Sequence, residues 1–505
     1  MPRLFVFAIG GTGSRVLKSL TMLMAAGVKP DGDREFEIVP IIIDPHKSNE
    51  DLKRTERLLS DYQAIVNKIG LGNGFFSTSI KTLNNLVEGR PTISGNFTFT
   101  LQEVAGMRFR DYINHSGLNE ANSKLMEVLF SGSSINRYQQ EVPLMDLEMD
   151  IGFVGNPNIG SIVLNQFKDS DEFKQICSNY NHEDRVFIIS SIFGGTGAAG
   201  FPIILKNIRN AMRSGVADGA GFLENAKIGA VTVMPYFNIQ ADDKSPIRKA
   251  DFISKTRSAL HYYKENVTGN NSVNALYYIG DDYNGSPYEN DPGHGGQKNR
   301  AHFVELAAAM SIIDYLGIPD DVLVTQNGRA LNPLYKEFFT RNDSAELTFG
   351  DLDQITSRRI AQRLTQLYML LRYKKEQLGN SIGRAAWTME APTIERTFMT
   401  SAFFLQLSDF LKGFEDWIIE QQENRRAFAP YQISAGLEAF IQGLNPAKTG
   451  RIIRRNFDYS DFDGELNRMA HGSKTINRQT AESRYMSLFF QGTEKILTEI
   501  YHLNY

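Results

Sequence analysis

The sequence predicts an α/β protein in which a doubly wound parallel sheet is followed by a mainly helical C-terminal region. Three observations carry that expectation. The runs Leu4–Ile9, Phe36–Ile43, Arg185–Ser191, Lys227–Pro235 and Ala275–Gly280 are continuous or nearly so, without the in–out alternation of a half-solvated strand, as strands covered on both faces are. Glycine-rich turns and segments of helical periodicity separate them, the strand–loop–helix repetition of a parallel sheet. Beyond about residue 300 the pattern becomes long apolar or amphipathic helices, at 301–316, 355–378, 396–424 and 480–500.

In chain order, the first apolar run stops at Gly10 and Gly11, and Ser14–Met24 has helical spacing. The second run ends in Asp44 and is followed by a helix over 50–70. Residues 71–145 are polar and irregular, as in a subdomain inserted between two loops. A dense glycine–asparagine–proline turn spans Ile151–Gly160. Strand 185–191 leads through Phe193–Gly200 into a helix ending near Arg209; strand 227–235 leads to a helix over 248–265, and strand 275–280 to a buried helix over 301–316. The expected division is 1–316 for the sheet domain and 317–505 for the helical region. No low-complexity linker separates them, so the two are expected to pack together.

Bulk properties exclude several classes. A chain of 505 residues with 42% hydrophobic and 22% charged residues can build a large core and is neither disordered nor collagen-like. A net charge of −4 gives no overall pull toward nucleic acid or anionic membrane, so binding to neither is expected; Arg451, Arg454 and Arg455 read as a solvated basic face. The lone cysteine, Cys177, excludes an intrachain disulfide and a cysteine-based metal site; it reads as a buried structural thiol. The N-terminal apolar run is too short for a signal segment, and no stretch approaches the ~20 apolar residues of a membrane span. A soluble, cytoplasmic protein is expected.

The chemistry is concentrated in glycine loops. Phe193–Gly200 (FGGTGAAG) lies between a buried strand and a helix. Glycines let the backbone approach an anion and leave successive amides pointing into one concavity. The following helix N-terminus adds about half a positive charge, and the Thr196 hydroxyl can donate to a phosphate oxygen. No lysine follows, so this is not a P-loop. The alternative is a tight turn without ligand. Ala8–Arg15 (AIGGTGSR) repeats the strand–turn–helix arrangement; by itself it also fits a degenerate dinucleotide turn with Asp44 as the ribose-binding acid, although Asp44 lies farther on than the ~20 residues of that fingerprint. Gly152–Gly160 (GFVGNPNIG) is a phosphate-side turn or an ordinary surface loop.

In order and character these loops resemble the tubulin/FtsZ superfamily over about residues 1–316, with a long insertion at 71–145. The GGGTG(S/T)G signature of that family is matched by Gly194, Gly195, Thr196, Gly197 and Ala198, with departures at Phe193 and Ala199. The first loop is similar at Gly10, Gly11, Thr12 and Gly13, the second at Asp44, and the third at Gly155, Asn156 and Pro157. VTVMPYF at 231–237 resembles the sugar-contacting segment. The resemblance further implies that Asp281, in place of an asparagine, reads the guanine edge, that Phe303 stacks on the base, with core packing as its alternative, and that Glu305 or His302 bonds the base edge. GTP or GDP with Mg²⁺ is the implied ligand, and no protein metal site is implied.

The family completes its pocket with an acidic loop of the next subunit. Leu347–Asp353 is similar to that loop, which makes Asp351 and Asp353 the candidate water-positioning carboxylates; helix capping is the alternative for both. Thr348 stands where a first acid is expected, and a missing carboxylate there slows hydrolysis. Self-association through the nucleotide face follows from the resemblance; residues 355–505, predominantly helical where the family has a mixed sheet with two helices, depart from it and are expected to contact a protein partner or another subunit. Three functions remain open: an assembling tubulin-like GTPase, a nucleotide-gated binding or regulatory module (a defence-system component, for example) without turnover, and a dinucleotide-dependent oxidoreductase. The last leaves two of the glycine loops without a role.

Overall fold

All pairings in the main sheet are parallel, so each crossover must pass over one of its faces, and the order of the strands fixes where a crevice opens. The computed structural model describes residues 1–505 apart from 33, 47–48, 73, 88–94, 137–139, 150–151, 154, 215–218, 237–248, 282–298, 341–343, 445–456, 473–475, 477–478 and 502–505. Seven strands form the sheet: β1 (Arg3–Ile9), β2 (Glu37–Ile43), β3 (Thr98–Phe99), β4 (Arg185–Ser191), β5 (Lys227–Val233), β6 (Ala275–Asp281) and β7 (Leu334–Thr340). Their spatial order is β7-β6-β5-β4-β1-β2-β3. The chain begins in mid-sheet, steps outward through β2 to β3, then crosses to the other side of β1 and steps outward through β4 to β7. The direction reverses between β1 and β4, which pair from Leu4↔Arg185 to Ala8↔Ile189.

Helices α1 (Gly10–Ala25), α2 (Glu50–Ile69), α3 (Pro157–Leu164), α4 (Thr196–Arg209), α5 (Lys249–Tyr263) and α6 (Phe303–Gly317) accompany the sheet. The apolar runs became strands because both faces are covered: Leu4 to Ile9 and Val186 to Ile189 are fully buried. The C-terminal region contributes α7 (Gln354–Glu376), α8 (Ala402–Gln422), α9 (Tyr459–Gly472) and α10 (Ala481–Tyr501). It packs directly on the sheet domain. Trp417 of α8 donates its indole N–H to Ser19 Oγ of α1 at 3.2 Å, and the apolar core is continuous across both parts.

The doubly wound sheet and the helical C-terminal region agree with the sequence expectation. Two strands do not appear in the sequence reading. β7 lies beyond residue 316 yet pairs with β6 from Leu334↔Ala275 to Thr340↔Asp281, so the sheet extends past the expected boundary. As an edge strand it carries Lys336 and Glu337 in mid-run and shows no continuous apolar signal. β3 is two residues long, inside the irregular 71–145 segment, which also holds a short hairpin at Ser133–Ile135 and Glu141–Pro143. Cys177 is fully buried, and burial pushes its thiol up to about 12. No helix among the described residues is long and apolar enough to cross a membrane.

Candidate functional site

The glycine turns follow β1 and β4, neighbours at the point where strand order reverses, and the third turn closes against them. Gly10 opens α1 at φ +70°, and a β-carbon on it would stand 3.4 Å from Thr196 Cβ. A β-carbon on Gly195 would lie 2.8 Å from Phe153 Cβ and 3.2 Å from the Asn156 amide nitrogen. One on Gly160 would meet Gly195 O at 2.9 Å and Ala199 Cβ at 2.8 Å. Gly10–Gly13, Gly152–Gly160 and Gly194–Gly197 therefore form one rim at the carboxyl ends of the central strands. Gly13 itself serves packing: its β-carbon would come within 2.6 Å of Ala8 C, so only glycine lets α1 lie this close to β1.

Three helices begin at this rim without a side-chain cap: α1 after Ile9, α3 after Asn156 and α4 after Gly195. None carries an acidic residue in its first turn. Their leading amides consequently concentrate positive potential at the rim. Helices α2 and α6 differ. Asn49 Oδ1 caps α2 through the Asp51 amide at 2.9 Å, and His302 and Glu305 form a capping box at the start of α6.

Behind the rim lies a buried charged cluster with little sequence signature. Arg15 of α1 donates from Nε to Glu305 at 2.6 Å and pairs with Asp51 at 3.2 Å, with Tyr236 Oη at 3.1 Å. Tyr236 Oη donates to the same Glu305 carboxylate at 2.7 Å. Glu420 of α8 accepts from Lys18 at 3.1 Å and from the Ala301 amide at 3.2 Å, and also binds Arg54. The C-terminal region is thereby wired to the helix that starts at the first glycine turn. Arg15 was visible only as the last letter of AIGGTGSR; nothing in the periodicity marks a buried ion pair.

The structure engages several of the expected contact residues internally. The Asp281 carboxylate pairs with Arg426 Nε at 3.2 Å, with both side chains almost wholly buried. Glu305 is held by Arg15, Tyr236 and the His302 amide; burial raises its carboxyl and Arg15 opposes that rise. His302 accepts from the Val304 amide at 3.1 Å, and burial, with Arg426 and Arg15 nearby, lowers it to about 3, so it is neutral near pH 7. Phe303 is buried at the end of an aromatic file, Phe193–Tyr236–His302–Phe303. It lies under the Arg426 guanidinium at 5.8 Å and lines a cavity of about 270 Å³ between β6, β7, α6 and α7.

Asp351 accepts from the Thr348 amide at 2.7 Å and Thr348 Oγ1 at 2.9 Å, and Asp353 from the Thr356 amide at 3.0 Å. Both carboxylates are thus caps, of a 3₁₀ turn and of α7. They follow β7, which runs parallel to β6, and Glu346–Leu347 beside them pairs with Ala427–Phe428, next to the Arg426 that binds Asp281. Of the expected loop residues, Ile151, Val154, Phe237 and Asp282 lie outside the described residues, as do Arg451, Arg454 and Arg455.

Asp44, at the end of β2, is buried and accepts from the His46 amide at 2.9 Å. Burial raises its carboxyl to about 7, reinforced by Asp51 and opposed by that hydrogen bond and Arg15. The unfolded value is about 4, so between pH ~4 and ~7 the folded chain holds the proton and the unfolded chain does not. Stability from this group is present at low pH and declines as pH rises through 7. Urea titrations at pH 5 and 7.5 are expected to show that decline weakened in Asp44→Asn; an identical pH difference in both proteins would refute the assignment.

Among solved structures, the chain is similar to a mutant FtsZ from M. jannaschii, at 14% identity and a TM-score of 0.26, with 55% of this chain and 46% of that chain covered. It is also similar to CetZ from Methanosaeta thermophila strain DSM 6194, at 11% identity and a TM-score of 0.21, again with 55% of this chain and 46% of that one covered. The match thus spans less than half the length of either structure. No family model and no curated protein matches the chain.

Proposed function

We propose that this chain is a divergent tubulin-like protein that binds a guanine nucleotide, GTP or GDP with Mg²⁺, on the rim formed by the three glycine turns, and that nucleotide state controls its self-association. One observation carries the reading: three helix N-termini without side-chain caps converge where the strand order reverses, lined by glycines of which Gly160, Gly195 and Gly197 leave no room for a β-carbon and Gly10 and Gly194 have positive φ. Such a cradle suits a polyphosphate, whose oxygens accept from backbone amides. Thr196 and Thr12 are the hydroxyls of the two central turns, Gly10, Gly11, Gly13, Gly194, Gly195, Gly197 and Ala198 supply backbone, and Gly155, Asn156 and Pro157 close the third side. Mg²⁺ enters with the phosphates: among the described residues no cluster of three His, Cys, Asp or Glu side chains could hold a metal, and Mg²⁺ in such sites binds largely through phosphate oxygens and water.

The test is to identify nucleotide released from the purified protein and to titrate GTP. The expected result is stoichiometric GTP or GDP, lost when Thr196 and Gly197 are replaced by Val; a chain that binds no guanine nucleotide overturns the reading. Nucleotide-dependent pelleting of the protein with GTP and Mg²⁺ checks self-association separately.

A second reading, nucleotide binding that gates a partner without appreciable turnover, is favoured by Asp351 and Asp353. Their carboxylates are engaged in capping hydrogen bonds to Thr348 and Thr356, which takes up acceptor sites that a water-positioning carboxylate needs. Phosphate release close to the no-protein background, with tight GTP binding, is the outcome that selects this reading. In both, the helical C-terminal region is the surface for a protein partner.

A further inference from the structure

A nucleoside triphosphate brings several negative charges, and uncapped helix ends offset them only with partial charges. The glycine loop after β4 has no following lysine, and the buried Arg15 is already paired with Asp51 and Glu305. A side-chain cation comes instead from α5. This helix is tied to two of the glycine turns at points eight residues apart. Tyr263 Oη donates to Ala198 O at 3.4 Å, in the turn after β4, and Lys255 Nζ donates to Gly155 O at 2.8 Å, in the third turn. Eight residues of helix rise about 12 Å, so the two contacts anchor α5 beside the first turn of α4 and beside the third glycine turn, with Lys255 at the latter. Lys255 is solvent-exposed, and its ammonium has three donors, one of them used by Gly155.

We propose that Lys255 is the phosphate-reading cation of the site, binding the distal phosphate and setting the preference for triphosphate over monophosphate. The inference rests on the nucleotide reading above and deepens it. A lysine held at the edge of an amide cradle supplies a full charge where the polyphosphate extends past the helix ends, and an ammonium binds phosphate as a point charge. A nucleoside monophosphate does not extend that far and gains nothing from it.

The experiment uses the intact chain and titrates GTP, GDP and GMP against wild type, Lys255→Gln and Lys255→Arg. In Lys255→Gln, GTP affinity is expected to fall about tenfold to a hundredfold, GMP affinity to stay unchanged, and Lys255→Arg to retain most of the GTP preference. The unchanged GMP affinity also reports that the turns are intact. If GTP and GMP affinities fall in parallel, Lys255 only supports the Gly155 turn, and the inference is overturned; an unchanged GTP-to-GMP ratio overturns it as well. Absence of GTP binding by the wild-type chain removes the parent reading and this one together.

Discussion

Arg15→Leu is expected to destabilise the protein by about 3–5 kcal/mol. The guanidinium is the counter-ion of both Asp51 and Glu305, each almost wholly buried, and also bonds Tyr236. Leucine fills part of the volume but leaves two carboxylates in a low-dielectric interior with less than their present complement of donors. Tyr236, the His302 amide and the Asn299 amide still reach them, which limits the loss. Urea unfolding of the variant measures it. Adding Glu305→Gln is expected to restore part of the stability, because the amide no longer has a charge to bury. A single variant within 1 kcal/mol of wild type would show that the cluster adjusts without its arginine.

Gly197→Val is expected to cost about 2–3 kcal/mol, the range for forcing volume into a packed site, and to abolish guanine nucleotide binding under the proposed function. Its β-carbon would stand 2.6 Å from Ser191 Oγ and 3.0 Å from both the Ser191 amide nitrogen and carbonyl oxygen. Those backbone atoms belong to the end of β4 and cannot turn aside. The first turn of α4 must therefore move off the strand, and with it the amides that face the rim. Gly194→Ala offers the contrast. Nothing lies within 4 Å of its β-carbon, but its φ is +83°, so its cost is only the ~1 kcal/mol of left-handed backbone. Thermal unfolding and GTP titration of the two variants separate crowding from backbone strain; equal losses in both would contradict the geometry described.

The parallel sheet was legible because burial on both faces leaves a one-dimensional mark. Leu4–Ile9 and Lys227–Val233 are apolar at nearly every position, and the strand boundaries agree with the sequence expectation to within a residue or two. The glycine turns were legible for a related reason: positive φ and backbone contacts that exclude a β-carbon restrict the residue type at one position, whatever lies far away in the chain. β7 was missed because an edge strand can carry Lys336 and Glu337 without penalty. The engagement of Asp281 by Arg426 and of Glu305 by Arg15 was illegible, since each pair joins residues 145 and 290 positions apart.

The sequence by itself determined which segments form the sheet, which turns must be glycine, and that the C-terminal region is helical, all of them properties set by local steric and hydrophobic rules. Only the tertiary structure decided that the three turns share one rim, that Lys255 reaches it from α5, and that Asp281 is taken up by Arg426. Those facts depend on the order in which parallel strands assemble, and strand order is fixed by the packing of crossovers over long separations, which leaves no local pattern to read.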